Sequence, residues 1–402
     1  MPSEHWYIPN KCNVQLALDV ENPRKVAEIS MRLVESIIGF HLRVEGDYLI
    51  SKKNIVKIDA MPNQIAHVDE ASEWAADSLP LDFEKSLARI ACNDRFIAVS
   101  INHLCADGGY LNNIVKHIQN PKQESYGNMP LPLEDFYSKR IDKAPDTAEI
   151  VDNDPTLTRL KSRGDPKSQS QATKHKLSRV PASSLKCFKG DGKLTGLTES
   201  LWLALAMSSM AYNEEISHVG SSTCLNLRPV LGHKGSQLDV CNHYSAITAF
   251  SKVHDKSTVE EIGRELRRDF QDKYMNEGAF SYLKAIQNLK TIKNFPGVGN
   301  ELTNVGPILI RSPIQNASMS ISINSENCQS VLSLMSYSVI SERLNEVITR
   351  LRYGEKKVNN IEADLVMKSI KWSMSHIPKE AYFIDAVHAL MDYQSNIKKH
   401  FS

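Results

Sequence analysis

The sequence predicts an α/β protein with two lobes, and three observations support this. An apolar, β-branched run from Phe96 to Ile101 is typical of a buried strand, and apolar residues at helical spacing follow it from about Gly109. Near the N terminus, an alternating strand over Val14–Val20 precedes a helix that opens at Pro23. A chain of 402 residues is also longer than one ordinary core accommodates, so we expect two lobes.

Composition limits the classes of function. With 41% hydrophobic and 24% charged residues, the chain is typical of a soluble globular protein. A net charge of +1, without a basic stripe, disfavours nucleic-acid binding. There is no apolar run of membrane-spanning length, and the first residues lack the pattern of a signal peptide. Seven scattered cysteines without a C-x-x-C pair indicate free thiols, so we expect a cytoplasmic protein.

The turn between the strand ending near Ile101 and the following helix carries the main candidate chemistry. His103 is the one group in this turn that accepts a proton near neutral pH. Asp107 adds a carboxylate, and Gly108 and Gly109 allow a positive φ and a close backbone approach, which a side chain would block. Ligands tend to bind at the carboxyl ends of strands in α/β folds. The competing interpretation is a helix-capping aspartate beside a histidine of the core.

The pattern His103-x-x-x-Asp107-Gly108 resembles the HxxxDG motif of the CoA-dependent acyltransferase superfamily. That superfamily includes chloramphenicol acetyltransferase, alcohol O-acetyltransferases and the condensation domains of nonribosomal peptide synthetases. Four further segments resemble family motifs, follow the family's order and extend the resemblance over most of the chain: Pro80–Lys85, Leu225–Pro229, Asp239–Tyr244 and Thr303–Gly306.

The resemblance implies a two-lobed, chloramphenicol acetyltransferase-like fold, with mixed sheets flanked by helices and a tunnel between the lobes. We expect an N-terminal lobe over 1–150, a flexible linker over 151–175 and a C-terminal lobe over 176–354. The linker is assigned from its polar sequence, which has no apolar period. Residues 355–402 form a helical extension beyond the family core, which covers an exposed face or packs on a partner subunit.

The resemblance also implies a mechanism in which a thioester donor and an alcohol or amine meet at His103. His103 takes the proton of the nucleophile as a general base. In the family the motif aspartate faces away from the substrates and pairs with an arginine of a later strand, which by position is Arg228 here. Asp107 and Gly108 complete the motif. The alternative for Arg228 is an exposed residue at the end of a strand.

Three more residues match positions that border the tunnel in relatives. Asn242, Tyr244 and Asn304 are candidates to hydrogen-bond the pantetheine arm of CoA or the acyl carbonyl. Each also has a structural interpretation, because asparagine often satisfies nearby backbone groups.

A metal site is disfavoured. Cys241 and His243, with His233 nearby, lack a fourth ligand and the paired spacing of zinc sites. Cys105, inside the motif, is expected to be a packing residue. We therefore expect no metal and no bound cofactor, with acetyl-CoA or another acyl-CoA as co-substrate.

Two differences from the motifs of other family members indicate which branch of the superfamily the chain resembles. Asn102 stands where condensation domains have a second histidine, and the D-F-G-W-G sequence of plant acyltransferases is absent. We expect a stand-alone O-acetyltransferase that moves an acetyl or short acyl group to the hydroxyl of a small hydrophobic alcohol. The alternatives are a condensation-type enzyme with a carrier-bound donor and an inactive binding homologue. The oligomeric state is not predicted.

Further elements follow from periodicity and capping signals, while 120–145 shows no clear element. The predictions are a buried helix over Leu197–Met210 capped by Thr195 or Thr198, a strand over Val219–Leu227 that delivers Arg228, a helix opened by a Ser257–Glu260 capping box with Arg264, Arg267 and Arg268 facing solvent, a helix over Glu342–Arg352, and two helices from Ile361 to Phe401 broken at Pro378.

Overall fold

The computed structural model describes residues 11–51, 56–120, 133–149, 154–190, 192–231, 241–288, 297–324 and 331–399. The strands are β1 Asn13–Val20, β2 Leu42–Glu45, β3 Tyr48–Ser51, β4 Ile58–Ala60, β5 Ala88–Cys92, β6 Phe96–Asn102, β7 Arg159–Leu160, β8 Lys174–Pro181, β9 Val219–Asn226, β10 Tyr244–Ser251, β11 Val298–Leu309, β12 Ile314–Ser322, β13 Val331–Ile340 and β14 Asn345–Tyr353. The α-helices are α1 Pro23–Ser36, α2 Val68–Ser78, α3 Gly108–Gln119, α4 Leu133–Lys143, α5 Leu197–Asn213, α6 Arg228–Leu231, α7 Val259–Met275, α8 Gly278–Gln287, α9 Asn360–His376 and α10 Phe383–Lys398.

The first sheet has the strand order β12-β1-β6-β5-β4, with only β4 and β5 parallel. Every residue of β6 is buried, as expected for a strand covered on both faces. One face packs against apolar residues of α1 and α3, such as Leu33 and Ile114. On the other face, α2 approaches closely through small residues, including Ala71 and Ala75. The central position of β6 fixes where its carboxyl end, and the turn after it, must lie.

The second sheet has the order β10-β9-β11-β13-β14-β8, and β7 pairs with one end of β11. Strands β9, β11 and β13 are parallel, and the other pairs are antiparallel. Two mixed sheets flanked by helices confirm the predicted fold class.

Helix α5 lies against one face of the second sheet, with Leu201 to Ala211 entirely buried, which confirms the predicted buried helix. Its predicted threonine cap is wrong. The N-cap is Gly196 in the left-handed region, φ 75°, without a side-chain bond. Helices α9 and α10 confirm the pair expected around Pro378, and their apolar residues join the same core as α5. The C-terminal extension therefore covers the outer face of α5.

The two halves of the chain exchange a strand. β12 belongs to the second half of the sequence, yet it pairs along its length with β1 in the first sheet. β7 lies within the stretch expected to be a linker, and it pairs with Val298 and Gly299. The two sheets are therefore linked by strand pairing as well as by the chain that runs between them.

The helix predicted over Glu342–Arg352 is wrong, because this segment contains β14. Val347 and Leu351 face the core beneath α5, whereas Ile348, between them, faces the opposite core. A strand buried on both faces has apolar residues at adjacent positions, and these mimic helical spacing.

Three other expectations need correction. The stretch over 120–145 contains α4, which was not predicted. The capping box of α7 lies one residue later than predicted, between Thr258 and Glu261. Arg267 does not simply face solvent, because its Nε donates to Glu199 at 2.6 Å and its guanidinium lies over the ring of Trp202.

Candidate active site

The start of the turn after β6 is held by several hydrogen bonds. The backbone N–H of His103 donates to the carbonyl of Cys12, at 2.8 Å. The side chain of Asn102 accepts from the N–H of Leu104 at 3.1 Å and donates to the Cys12 carbonyl at 3.2 Å. Asn102, noted in the sequence only as a departure from a motif, therefore caps the 3₁₀ turn His103–Cys105. These bonds fix the point from which the imidazole projects.

The imidazole of His103 is 8% exposed, and the ring of Tyr244 lies beside it, with 5.3 Å between ring centroids. Burial is the largest effect on its pKa and lowers it from the ordinary value of 6.5. The positive charge of Arg352 lowers the pKa further, while a bond to the residue's own backbone and the charge of Asp107 raise it. The result favours a neutral ring at neutral pH, which is the form that accepts a proton.

Asp107 is the N-cap of α3 and an ion-pair partner at the same time. Its Oδ1 accepts from the N–H of Tyr110 at 2.8 Å, which is the helix cap. Its Oδ2 accepts from the N–H of His243 at 2.8 Å, and Nη1 of Arg228 lies 2.9 Å from Oδ1. The two interpretations of this carboxylate, cap and ion pair, are therefore compatible.

The ion pair predicted between Asp107 and Arg228 is confirmed, and the alternative of an exposed Arg228 is wrong. The side chains of Arg228 and Asp107 are 5% and 6% exposed. Nη2 of Arg228 also donates to the carbonyl of Cys241 at 2.9 Å, and Nη1 donates to Oδ1 of Asn226 at 3.0 Å. Because β9 ends at Asn226, the second sheet delivers this guanidinium directly to the turn.

Two glycines at the start of α3 permit close approach. A Cβ on Gly109 would lie 2.7 Å from Nη1 of Arg228, and a Cβ on Gly108 would lie 2.7 Å from Cγ2 of Val305. Neither glycine has a positive φ, so the close approach of Val305 and Arg228 is the physical reason for glycine at these positions.

The three residues expected at the tunnel differ in position. Tyr244 lies next to His103. Asn242 lies in the loop that supplies the N–H of His243 to Asp107. Asn304 donates to Oγ1 of Thr198 at 3.0 Å and accepts from the N–H of Gly306 at 3.2 Å, across a bulge in β11. Its amide therefore links β11 to α5.

Sequence reasoning missed a row of polar residues across the second sheet. Strand register aligns one residue from each of five adjacent strands, and we call this set the polar row: Ser222, Glu301, Ser333, Arg352 and His175. Side chains alternate between the two faces of β14, and this alternation could have placed Arg352 on the polar face. The sequence instead predicts a helix there. The rest come from strands far apart in the chain.

The Cys241–His243 segment, which the sequence disfavours as a metal site, lies in a loop before β10. Among the described residues, no three or more His, Cys, Asp or Glu side chains are grouped so that they could hold a metal ion. His233 lies outside the described residues, as do Asp239 and Val240. Cys105 is buried in the first core, in agreement with the expected packing role. No described helix has the length and apolar character needed to cross a membrane.

The sequence matches no known protein family and no curated protein. Solved structures do resemble the chain. Polyketide synthase associated protein 5 from Mycobacterium tuberculosis is 13% identical, with TM-score 0.62 over 94% of this chain and 97% of that protein. A mutant starter condensation domain of rhizomide synthetase, in complex with C8-CoA, is 11% identical, with TM-score 0.64 over 94% and 95%.

The first condensation domain of the calcium-dependent antibiotic synthetase, in complex with a substrate analogue, is 9% identical. Its TM-score is 0.60, over 92% of each chain. At these identities the likeness concerns the fold alone. The chain therefore has the mixed α/β fold of these condensation domains and of the polyketide synthase associated protein.

Proposed function

We propose that this protein is an acyl-CoA-dependent acyltransferase with His103 as its general base. The observation that carries the proposal is a buried imidazole with a lowered pKa at the carboxyl end of β6. It lies in a fold that a rhizomide synthetase domain displays in complex with C8-CoA. The HxxxDG-like order of His103, Asp107 and Gly108 supports the same function.

In the proposed reaction, the thioester and the acceptor reach His103 through a tunnel between the lobes. The neutral imidazole accepts the proton of the acceptor hydroxyl as its oxygen attacks the thioester carbonyl. The new carbon–oxygen bond forms, the carbon–sulfur bond breaks, and the imidazolium returns its proton to the departing thiolate of CoA. Positioned base catalysis contributes about 10²–10⁴-fold, and holding both substrates together adds to it.

Asp107 and Arg228 are positioning residues in this mechanism. The bonds of the Asp107 carboxylate go to the N–H groups of Tyr110 and His243 and to Arg228. The carboxylate therefore fixes the turn that carries His103 against the second sheet. Tyr244 is proposed to contact the substrates, because its ring flanks the imidazole. Asn242 and Asn304 remain candidates for the CoA side.

The proposed donor is acetyl-CoA or another short acyl-CoA, and the proposed acceptor is the hydroxyl of a small molecule. A second candidate is a condensation-type reaction with a carrier-bound donor, and the resemblance to two condensation domains favours it. Both reactions use the same base, and they differ in the group that leaves.

A thiol-release assay tests the proposal. Purified protein is incubated with acetyl-CoA or octanoyl-CoA and a panel of alcohols and amines, and free CoA is measured together with the acylated product by mass spectrometry. We expect acceptor-dependent release with at least one free acyl-CoA. Product formation only from acyl groups loaded on a carrier protein would favour the condensation-type reaction. No transfer from either kind of donor would contradict both.

A further inference from the structure

The polar row lies on the face of the second sheet that is turned toward the first sheet. Arg350, on the same face two residues before Arg352, reaches Asp69 of α2 and Ser318 of β12. The opposite face carries Val347 and Leu351, which pack beneath α5. Arg352 and its neighbours therefore point into the space between the two sheets.

Arg352 differs from Arg350 in how its terminal nitrogens are used, whereas Nε is buried without a hydrogen-bond partner among the described residues in both. Both terminal nitrogens of Arg350 are hydrogen-bonded, Nη1 to Glu73 at 3.0 Å and Nη2 to Ser318 at 2.8 Å. Arg352 is 7% exposed, and its Nε and Nη1 are buried without a hydrogen-bond partner among the described residues. Its salt-bridge partner is Glu301, whose Oε1 lies 3.5 Å from Nη2.

This arrangement is energetically unusual. A buried donor left without a partner is destabilising, and more so when it carries charge. Glu301 does not relieve Nε or Nη1, and it already accepts from Oγ of Ser333 at 2.6 Å. Adjacent guanidinium nitrogens form a planar fork that fits both oxygens of a carboxylate.

A chain of contacts links the polar row to the proposed base. The Cys12 carbonyl, which accepts from the N–H of His103, belongs to a residue that packs against Ile323. Ile323 exchanges two hydrogen bonds with Thr173, just before β8, and His175 of β8 lies opposite Arg352. The charge of Arg352 also acts on the imidazole of His103.

We propose that Arg352 binds a carboxylate of the substrate through the edge of its guanidinium that carries Nη1 and Nη2, on the face of the second sheet that is turned toward the first sheet. This inference rests on the proposed acyl transfer and refines its substrate class. The sequence predicts a small hydrophobic alcohol or secondary metabolite as the acceptor, whereas Arg352 fits an acceptor that is a hydroxy acid or a donor that carries a dicarboxylic acyl group. Whether it belongs to the acceptor or to the acyl donor, the group that Arg352 binds is a carboxylate.

Matched substrate pairs distinguish the two sources. One arm compares hydroxy acids of increasing chain length, each with its amide, as acceptors of an acetyl group from acetyl-CoA. The other compares succinyl-CoA and malonyl-CoA with butyryl-CoA and acetyl-CoA as donors to a neutral alcohol. We expect kcat/KM to be higher for the carboxylate member in one arm, by about 10-fold or more, because charged hydrogen bonds contribute about 1.5–3 kcal/mol.

The variants Arg352→Met and Arg352→Lys test whether Arg352 causes the preference for the carboxylate substrate. Arg352→Met is expected to abolish the preference through KM, and Arg352→Lys to restore part of it, because lysine keeps the charge but not the planar fork. Measurements at pH 8 keep His103 neutral in every variant, so its titration does not contribute. Lys273→Met is a matched control, since Lys273 binds Asp269 on α7 and is expected to leave the preference intact.

Direct binding separates this inference from the proposed function. Succinate, malonate and the hydroxy acids are titrated calorimetrically into the wild-type protein and Arg352→Met. Heat that the variant loses supports the carboxylate site even if no thiol is released in any assay. Equal binding by both proteins, or no binding together with equal kcat/KM within every pair, would overturn the proposal.

Discussion

The carboxylate of Asp107 and the guanidinium of Arg228 form an ion pair across the two sheets, 2.9 Å between Oδ1 and Nη1. Asp107 follows β6 of the first sheet, and Arg228 follows β9 of the second. The same carboxylate caps α3 and accepts from the backbone of His243. One buried side chain therefore holds a helix, a loop and an opposite charge around the turn that carries His103.

Removal of the negative charge of Asp107 is expected to destabilise the fold. Asp107→Asn keeps the size of the side chain but leaves the Arg228 charge buried without its counter-ion, at a cost of about 3–5 kcal/mol. Urea unfolding measures the change. Lys25→Ala is the control, because it breaks the exposed Lys25–Glu28 pair and is expected to have little effect on stability. Equal effects of the two substitutions would contradict the buried ion pair.

Gly109→Ala is expected to displace Arg228. The new Cβ would lie 2.7 Å from Nη1 of Arg228 and 3.2 Å from Nδ2 of Asn226. Overpacking of this kind costs about 1–3 kcal/mol in the free energy of unfolding. Gly190→Ala is the matched control, because a Cβ there meets nothing within 4 Å. If both variants were as stable as the wild-type protein, the close approach would not be a constraint.

The pH dependence of activity is expected to follow His103. Its pKa lies below the ordinary 6.5 because of burial first, with a contribution from the charge of Arg352. A general base works when neutral, so kcat/KM should be level above this pKa and fall as the pH drops through it. The midpoint of the acid limb should therefore lie below 6.5.

The effect of Arg352 on the pKa of His103 also predicts the direction in which the variant Arg352→Met shifts the pH profile. Arg352→Met removes a positive charge that lowers the pKa of His103, so the acid limb should move to higher pH. A pH–rate profile of both proteins with a neutral acceptor checks this. An acid limb that stays in place, or moves to lower pH, would show that Arg352 does not act on the base.

His175 is expected to weaken the fold in acid. Burial is the main cause that lowers its pKa to about 3, and Arg350 and Arg352 contribute. Between the ordinary 6.5 and about 3, the unfolded chain therefore binds a proton that the folded chain does not. Stability should fall with decreasing pH by up to about 1.4 kcal/mol per unit from this residue.

The variant His175→Asn should lose this part of the slope when the free energy of unfolding is measured from pH 7 to pH 4. His67→Asn is the control, because His67 lies at the surface as the cap of α2, a position that asparagine also suits. A wild-type slope in His175→Asn would contradict the role of His175.

Local patterns predicted much of the fold, and long-range pairing supplied the rest. The β6–α3 unit and the buried helix α5 follow from apolar periodicity alone. The segment of β14 was misread because apolar residues on both faces of a buried strand imitate a helical stripe. Nothing in the sequence near β12 indicates that it pairs with β1 rather than with a strand of its own half.

In the candidate site too, local patterns predicted some residues, whereas others depend on long-range strand pairing. His103, Asp107 and Gly108 form one short motif, and the Arg228 pairing followed from a resemblance that named its position. Glu301 and Arg352 become neighbours only through the register of β11, β13 and β14, which no local pattern encodes. Asn102 was visible as a residue type, but its role depends on the carbonyl of Cys12 on another strand.

The central claim is that the imidazole at position 103 is the base of an acyl transfer. The most direct measurement is acceptor-dependent CoA release by His103→Ala, compared with the wild-type protein and with His41→Gln. His41 is a partly buried histidine whose ring bonds the carbonyl of Val34 at 2.8 Å, a contact that glutamine can replace. We predict that His103→Ala lowers kcat by about 10²–10⁴-fold while it remains folded, and that His41→Gln remains active. Release by folded His103→Ala at the wild-type rate would contradict the account.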